Sequence, residues 1–508
     1  MKNIIRIVII YGIFGSCALH AQTHADHSAS VFIPIDHWMY SYITLLQDRG
    51  HLTSLNPSVR PYTRKEVFGA VKKLNPTDLS SAEKKWIQHI REELSDVAEE
   101  VACVDTTLIR TSLEGRLSLR RQQKDTHGDY FVKPNLEISS DNFAIHLRAR
   151  IDHALRRDTN YQGRKQSIGG AYLPDAYALL QWKNVRLTVG HYSTNWGPFE
   201  NKSLIVSANP YPYERIELSW TTRRISIRSF VAQLDHAYNA GRYFSAHRMD
   251  IRLPHGINLG ITESVIHGNA DKTQPINWKY LNPVNIFAEA QLNGGGDANE
   301  NIAFDAYVPL GRFVFKGQFL VDDLILDGPD KPAPNRKTSP DRLGFLITGI
   351  INNPGLPSSQ AQLDYERVSS YTYNIKSSRP WQSYTHNGLG LGSPRNDRDA
   401  WILMWRYFGF ERWLLSLESG FFRQGERNLS SHDFTDSTMT VGKFPRGLVE
   451  KTWRLGIQAD YFHAHNFWAT CKISTDNVRN RSNKKTPLRH YLNVFVSLNY
   501  QIDRYLNI

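Results

Sequence analysis

Cysteine is scarce in this chain. Its 508 residues include three, Cys17, Cys103 and Cys471, and removal of a leader would leave two, so disulfides do not organise the fold. Long apolar runs are missing too. Past the N-terminus nothing reaches the ~18 apolar residues that a membrane-crossing helix requires, which excludes helical spanning. If the chain lies in a membrane, only a closed barrel would satisfy its backbone hydrogen bonds there. The familiar catalytic signatures are also absent: there is no Gly-x-Ser-x-Gly elbow, no Walker loop and no His-Glu-x-x-His helix.

Aromatic residues, by contrast, are plentiful, with 24 Tyr, 23 Phe and 12 Trp. Girdles at two membrane interfaces would use such an excess, and so would a carbohydrate surface. The mean hydropathy of −0.45 resembles that of a soluble protein, but the polar lumen of a membrane barrel dilutes the average in the same way. The formal charge is +12. A basic exported chain attracts acidic polysaccharide or anionic lipid, and export makes nucleic acid the least suited partner.

Export itself is read from the first residues. Lys2 and Arg6 precede an apolar run from Ile7 to Leu19, and Leu19-His20-Ala21 forms a cleavage site, so residues 1–21 are expected to be a signal peptide cut after Ala21. Lipoprotein processing at Cys17 is the rival, with Phe14-Gly15-Ser16 a poor lead-in.

Residues 31–104 have helical spacing and form the expected three-helix module. Asp36 is placed as the N-cap of the first helix, whose buried stripe is Trp38, Tyr42, Leu45 and Leu46, with Gly50 ending it. Thr63-Arg64-Lys65-Glu66 and Ser80-Ser81-Ala82-Glu83 are capping boxes. The second opens a long helix through Trp86, Ile90, Leu94, Val97 and Val101. A core this thin must lean on the C-terminal part of the chain.

From about residue 105 to 508 the period is two. Tyr177–Trp182 and Val185–His191 flank a Lys183-Asn184 break and read as a hairpin. Phe143, Ile145, Leu147 and Ile151 alternate with His146, Arg148 and Arg150, as an aliphatic exterior around a polar lumen requires. A soluble sandwich also alternates; persistence over some 400 residues favours the barrel. At roughly 22 residues per strand and connection there is room for 16 to 20 strands. The long polar connections Gly328–Pro340, Ser377–Asp399 and Arg423–Pro445 are assigned outside the cell, and short turns such as Gly409–Arg412 to the periplasm.

Several segments carry a family resemblance. They are Asp36-His37-Trp38-Met39-Tyr40, Asn56-Pro57, Arg60-Pro61-Tyr62-Thr63-Arg64-Lys65-Glu66, Gly190-His191-Tyr192, Asn195-Trp196-Gly197-Pro198, Tyr280-Leu281-Asn282-Pro283-Val284, Asn293-Gly294-Gly295-Gly296-Asp297 and Gln318–Asp323. Together the chain resembles the Wzi-like capsule assembly family. That resemblance implies a mainly β fold: an outer-membrane antiparallel barrel of about 18 strands behind a small periplasmic helical bundle. It also implies a Gram-negative cell-surface protein, a monomer in outer-membrane lipid, that attaches or organises capsular polysaccharide without catalysis, cofactor or metal. The rival functions are a pore for anionic solutes or saccharides and an outer-membrane enzyme acting on polysaccharide or lipid. His37-Trp38, Tyr40, Leu45, Gly50 and Thr63–Glu66 further resemble an S-layer homology module, although a capping box explains the Thr and Glu without a ligand.

Candidate site residues come from loop chemistry. Trp196, Tyr211, Tyr213, Trp381 and Tyr384 could stack on sugar rings, with hydrogen bonds from Asn195, Asn209 and Arg215; the bland reading is loop packing or an interface girdle. Arginine among aromatics suits an acidic polysaccharide, because guanidinium meets carboxylate bidentately. Three weaker patterns are also present. Asn293–Asn301 with Asp305 spaces oxygen ligands as a calcium loop does, but Val308 stands where the closing Glu belongs. His463 and His465 share a strand face and lack a third metal ligand. Asp322, Asp323 and Asp327 could be glycosidase carboxylates, or simply solvated or Arg-paired acids.

Overall fold

The computed structural model describes residues 29–102, 107–122, 125–237, 240–269, 277–283, 285–289, 298–323, 341–432 and 442–507. The expected signal peptide, Cys103, Asn293–Asp297 and Asp327 lie outside them. Eighteen antiparallel strands, from Leu108–Gln122 to Arg489–Asn507, close into one barrel. The first strand pairs with the last over its full length. Each strand otherwise pairs with its neighbours in sequence, so no edge is left open. None of the described helices is long and apolar enough to cross a membrane; a barrel crosses with its strands.

The alternation read from the sequence becomes the two faces of the wall. Phe143, Ile145, Leu147 and Ile151 are exposed on its outside, while Ala144, His146 and Arg148 are buried within. Gly170–Trp182 and Val185–His191 form the expected hairpin, with Trp182 opposite Val185. The turn is the two residues Lys183 and Asn184, and Lys183 takes a φ of 50°. Connections at this end are short, as at 222–224, 311–312 and 465–466, whereas those at the other end include 153–169, 192–214 and 369–397.

The helices sit in the short-turn end. They are Met39–Asp48, Arg64–Lys72, Ser81–Glu93 and Ser95–Ala102. Both capping boxes are made, Thr63 with Glu66 and Ser80 with Glu83, and Gly50 has a φ of 87° where the first helix stops. Two local expectations fail. Asp36 caps nothing: the helix starts at Met39 without a side-chain cap. Its carboxylate is drawn instead to two cations of the barrel wall, Lys133 at 2.7 Å and Arg148 at 2.8 Å. The third helix does not run on to Val101 but ends at Glu93, with Ser95–Ala102 a separate helix after Leu94, and Glu93 meets Arg110 of the first strand at 2.8 Å.

The helical core does lean on the barrel. Trp38, Tyr42, Trp86 and Ile90 share one cluster with Phe408, Leu414, Phe462 and Trp468 of the short-turn end. Ion pairs fix the docking: Asp48, 1% exposed, holds Lys316 of the wall at 2.8 Å, and Arg186 reaches Glu66 at 3.0 Å.

Candidate functional site

The long connections at the opposite end do not stand away from the barrel; at least two of them fold down into it. In 192–214, Asn195 and Trp196 form a two-residue antiparallel ladder with Val59 and Arg60, which lie between the first two helices. Gln318 of the wall reads this turn twice, donating to the Trp196 carbonyl at 3.0 Å and accepting from the Leu204 amide at 2.7 Å. Gly197 has a φ of 145°, and a Cβ there would lie 2.8 Å from the Gln318 amide nitrogen, so only glycine fits. The 369–397 connection follows it inward. Tyr384 donates to the Ile205 carbonyl at 2.8 Å, Tyr373 donates to that of Leu204 at 2.5 Å, and the two rings stack at 5.3 Å.

These insertions explain a feature that alternation alone does not anticipate. The inner wall is polar in one sector but apolar in another, where Phe230, Ala232, Phe244, Ala246, Ala303 and Leu320 pack on Trp196, Leu204, Ile205 and Tyr384. Alanines on the wall leave room for the rings.

The sugar-stacking candidates are consequently not an open platform. Trp196 is 0% exposed, edge-on to Phe230, and Asn195 is spent on the Phe199 carbonyl at 3.1 Å. Tyr213 is buried among Phe230, Phe244 and His386. Arg215 lies 3.6 Å over the ring of Tyr192, held by aromatic faces. Trp381 is half-buried, and its carbonyl accepts from Arg242 at 2.7 Å. The reason is common to all: rings and amides that suit a saccharide also suit an interior, and here the loops supply the barrel's filling. Asn209 and Tyr211 differ. Both line a cavity of about 1070 Å³ between the first helix, the inward loops and the polar sector of the wall. Tyr211 donates to Asp158 at 2.6 Å and stands edge-on to Tyr172.

That cavity gathers charge which the loop reading did not identify. Arg148 and Arg150 face it from one side, and Lys202, Arg398, Arg406 and Arg454 from the other. Glu366 pairs with Lys202 and with Arg398, the latter at 2.9 Å. Arg454 pairs with Asp476 at 2.8 Å. Arg406 donates to Gln360 at 3.0 Å and, among the described residues, has no carboxylate partner. A smaller cavity of about 280 Å³ shares Ser41, Glu200, Arg406 and Glu418 with the first and adds Lys472 and Asp460. The signal for these residues was the alternation itself, since Arg398, Ile402, Met404 and Arg406 occupy the phase opposite Trp401 and Leu403.

The remaining motifs are absorbed structurally. Asp305, the candidate calcium ligand, is claimed by Arg248 at 2.6 Å. Asp322 accepts from the Tyr373 amide at 2.7 Å. His465 lies 3.8 Å from Glu92, and His463 faces Tyr461 and Phe467. No group of three metal-capable side chains occurs among the described residues.

Comparison with known proteins agrees with this architecture. The model of the family described as capsule assembly protein Wzi matches residues 134–356. Wzi of Escherichia coli, an outer-membrane protein of group 1 capsule assembly described as a carbohydrate-binding β-barrel, superimposes with a TM-score of 0.63 at 15% identity, over 92% of this chain and 98% of its own. Pseudomonas aeruginosa OccD3 gives 0.47 at 10% identity, over 78% of this chain and 91% of its own, a likeness too low to argue from. No curated protein sequence matches. Residues 134–356 thus match the Wzi capsule assembly family in sequence, and over most of its length the chain shares the fold of the Escherichia coli outer-membrane β-barrel.

Proposed function

We propose that this barrel holds acidic surface polysaccharide at the cell surface without catalysis. In this reading the signal peptide is removed after Ala21, the helices (residues 31–104) face the periplasm as a module of their own, and the long connections face outward from a monomer. The observation that carries the proposal is the filled lumen. Helices occupy one end, two connections fold in from the other, and the space left between them is a charged cavity lined by seven Lys or Arg and six Asp or Glu side chains. A barrel built to pass solutes would not bury Trp196 and Tyr384 across its bore; a barrel built to hold a chain gains rigidity from them. The family match and the carbohydrate binding of Escherichia coli Wzi support the same reading.

Within it, the outer saccharide contacts are the half-exposed Asn209, Tyr211 and Trp381, backed by the cations Lys202, Arg398 and Arg406. Buried Asn195, Trp196, Tyr213, Arg215 and Tyr384 hold those contacts in place. Deletion of the gene should leave polysaccharide synthesis intact and shift polymer from the cell to the medium, as measured by capsule staining and assay of the supernatant. Normal retention by the deletion strain would reject attachment.

A further inference from the structure

At the long-connection end, the outward face of four consecutive strands ends in basic residues. On Glu450–Ala464 the outward row runs Ile457, Leu455, Trp453 and then Lys451. On Phe467–Arg479 it passes from Ile473 through Thr475 and Asn477 to Arg479, on Arg489–Asn507 it passes Leu498, Val496 and Leu492 to His490, which is hydrogen-bonded to Asn477, and on Leu108–Gln122 it passes Leu117 and Leu119 to Arg121. Trp453, Leu455, Ile457, Leu492, Leu117 and Leu119 are all exposed on this face, so it is the lipid side of the wall. Each basic residue lies two positions beyond the row below it, ~7 Å further along the strand, and four strands side by side span ~15 Å.

Two observations make this more than a solvated rim. Lys451 stands directly opposite Arg479 in the ladder, a like-charge pair that destabilises a sheet unless an anion lies between. Among the described residues Lys451, Arg479 and Arg121 make no ion pair. The neighbouring sector is built differently: its outward cation Arg423 is neutralised by Asp399, with a hydrogen bond of 2.8 Å.

We infer that Arg121, Lys451, Arg479 and His490 form a binding band for the phosphate of a membrane lipid headgroup in the leaflet at the long-connection end. The apolar residues below (Leu117, Leu119, Trp453, Leu455, Ile473, Leu492 and Val496) take the acyl chains, Trp453 marks the interface, and the cations above meet phosphate at headgroup depth. A soluble acidic glycan held in the lumen would not meet them, since these side chains lie on the outer face of the wall.

The test uses the full mature chain in mixed micelles containing phosphatidylglycerol or, alternatively, phosphatidylcholine, with bound lipid counted by native mass spectrometry. Wild type should retain phosphatidylglycerol in preference to phosphatidylcholine, and added salt should erode the preference. Neutralising Arg121, Lys451 and Arg479 to Gln should weaken phosphatidylglycerol binding about fivefold per cation removed. Lys451→Gln alone provides the reading if the triple variant does not insert. Arg116→Gln with Arg120→Gln, on the lumen side of the first strand, should leave binding unchanged. The inference is overturned if the outward variants bind like wild type, if the lumen pair abolishes the preference, or if soluble acidic polysaccharide displaces the lipid from wild type.

Discussion

Arg248 shows how much one residue decides inside this wall. It is 1% exposed and joins Asp250 and Asp305, each at 2.6 Å. Asn258 donates to Asp250 at 3.1 Å and ties the group to Ser58 of the helical segment, also at 3.1 Å. Gly260 is part of the design, for a Cβ there would lie 2.1 Å from the guanidinium. Replacing Arg248 by Met leaves two buried carboxylates facing each other and should cost about 3–5 kcal/mol, read as a lower urea midpoint in detergent. Changing Asp250 and Asp305 to Asn at the same time should recover part of that loss. In the sequence Asp305 resembled a calcium ligand because the residue that satisfies it is 57 positions away, and spacing within one segment carries no trace of such a partner.

At the scale of the element, the helical module is fastened to the barrel by charge as well as by apolar contact, and its fastening depends on pH. The His37 ring is 13% exposed and accepts a hydrogen bond from the Met39 amide. Burial is the main cause that pushes its pKa down to about 3; Arg64 and Arg110 add to it, against Glu114. In the unfolded chain the ring titrates near ~6.5, so below that pH protonation favours unfolding. Between pH 7 and pH 5 this group alone should remove about 2 kcal/mol, and His37→Gln should show a shallower loss over that window in thermal unfolding. An equal slope in both proteins would reject the account. Glu66 and Glu83 have the same sign at lower pH: burial opposes their charge, but Arg186 in the first case and His51 with Arg49 in the second hold both carboxyls below the usual range.

Elements were also the most legible level of the sequence. Thr63–Glu66 and Ser80–Glu83 carry their own partners within one turn, and a strand's period requires only its own residues. Asp36 did not follow its local pattern, because two cations on the wall outbid a helix end.

For the whole molecule, a closed barrel with room for 16 to 20 strands followed from a period kept over most of the chain and the count of about 18 from the family resemblance, while the direction taken by the loops followed from neither. An aromatic loop reads the same whether it reaches outward or fills the bore; the difference lies in Ala232, Ala246 and Ala303, which make space for it from distant strands. The filled bore predicts low conductance in planar bilayers. Trp196→Ala should open it, removing a large buried side chain at about 3–5 kcal/mol and loosening the 192–214 insertion. A wild-type barrel conducting as well as the variant would show that the insertion is not a plug.

The short ladder between Val59–Arg60 and Asn195–Trp196 has a mechanical meaning. A polymer tugging at the rim would pull not on a dangling loop but on a strut running the depth of the barrel to the helices at its far mouth. Drag on the coat would then be shared by both ends of one rigid body, so the grip should yield only when that body comes apart.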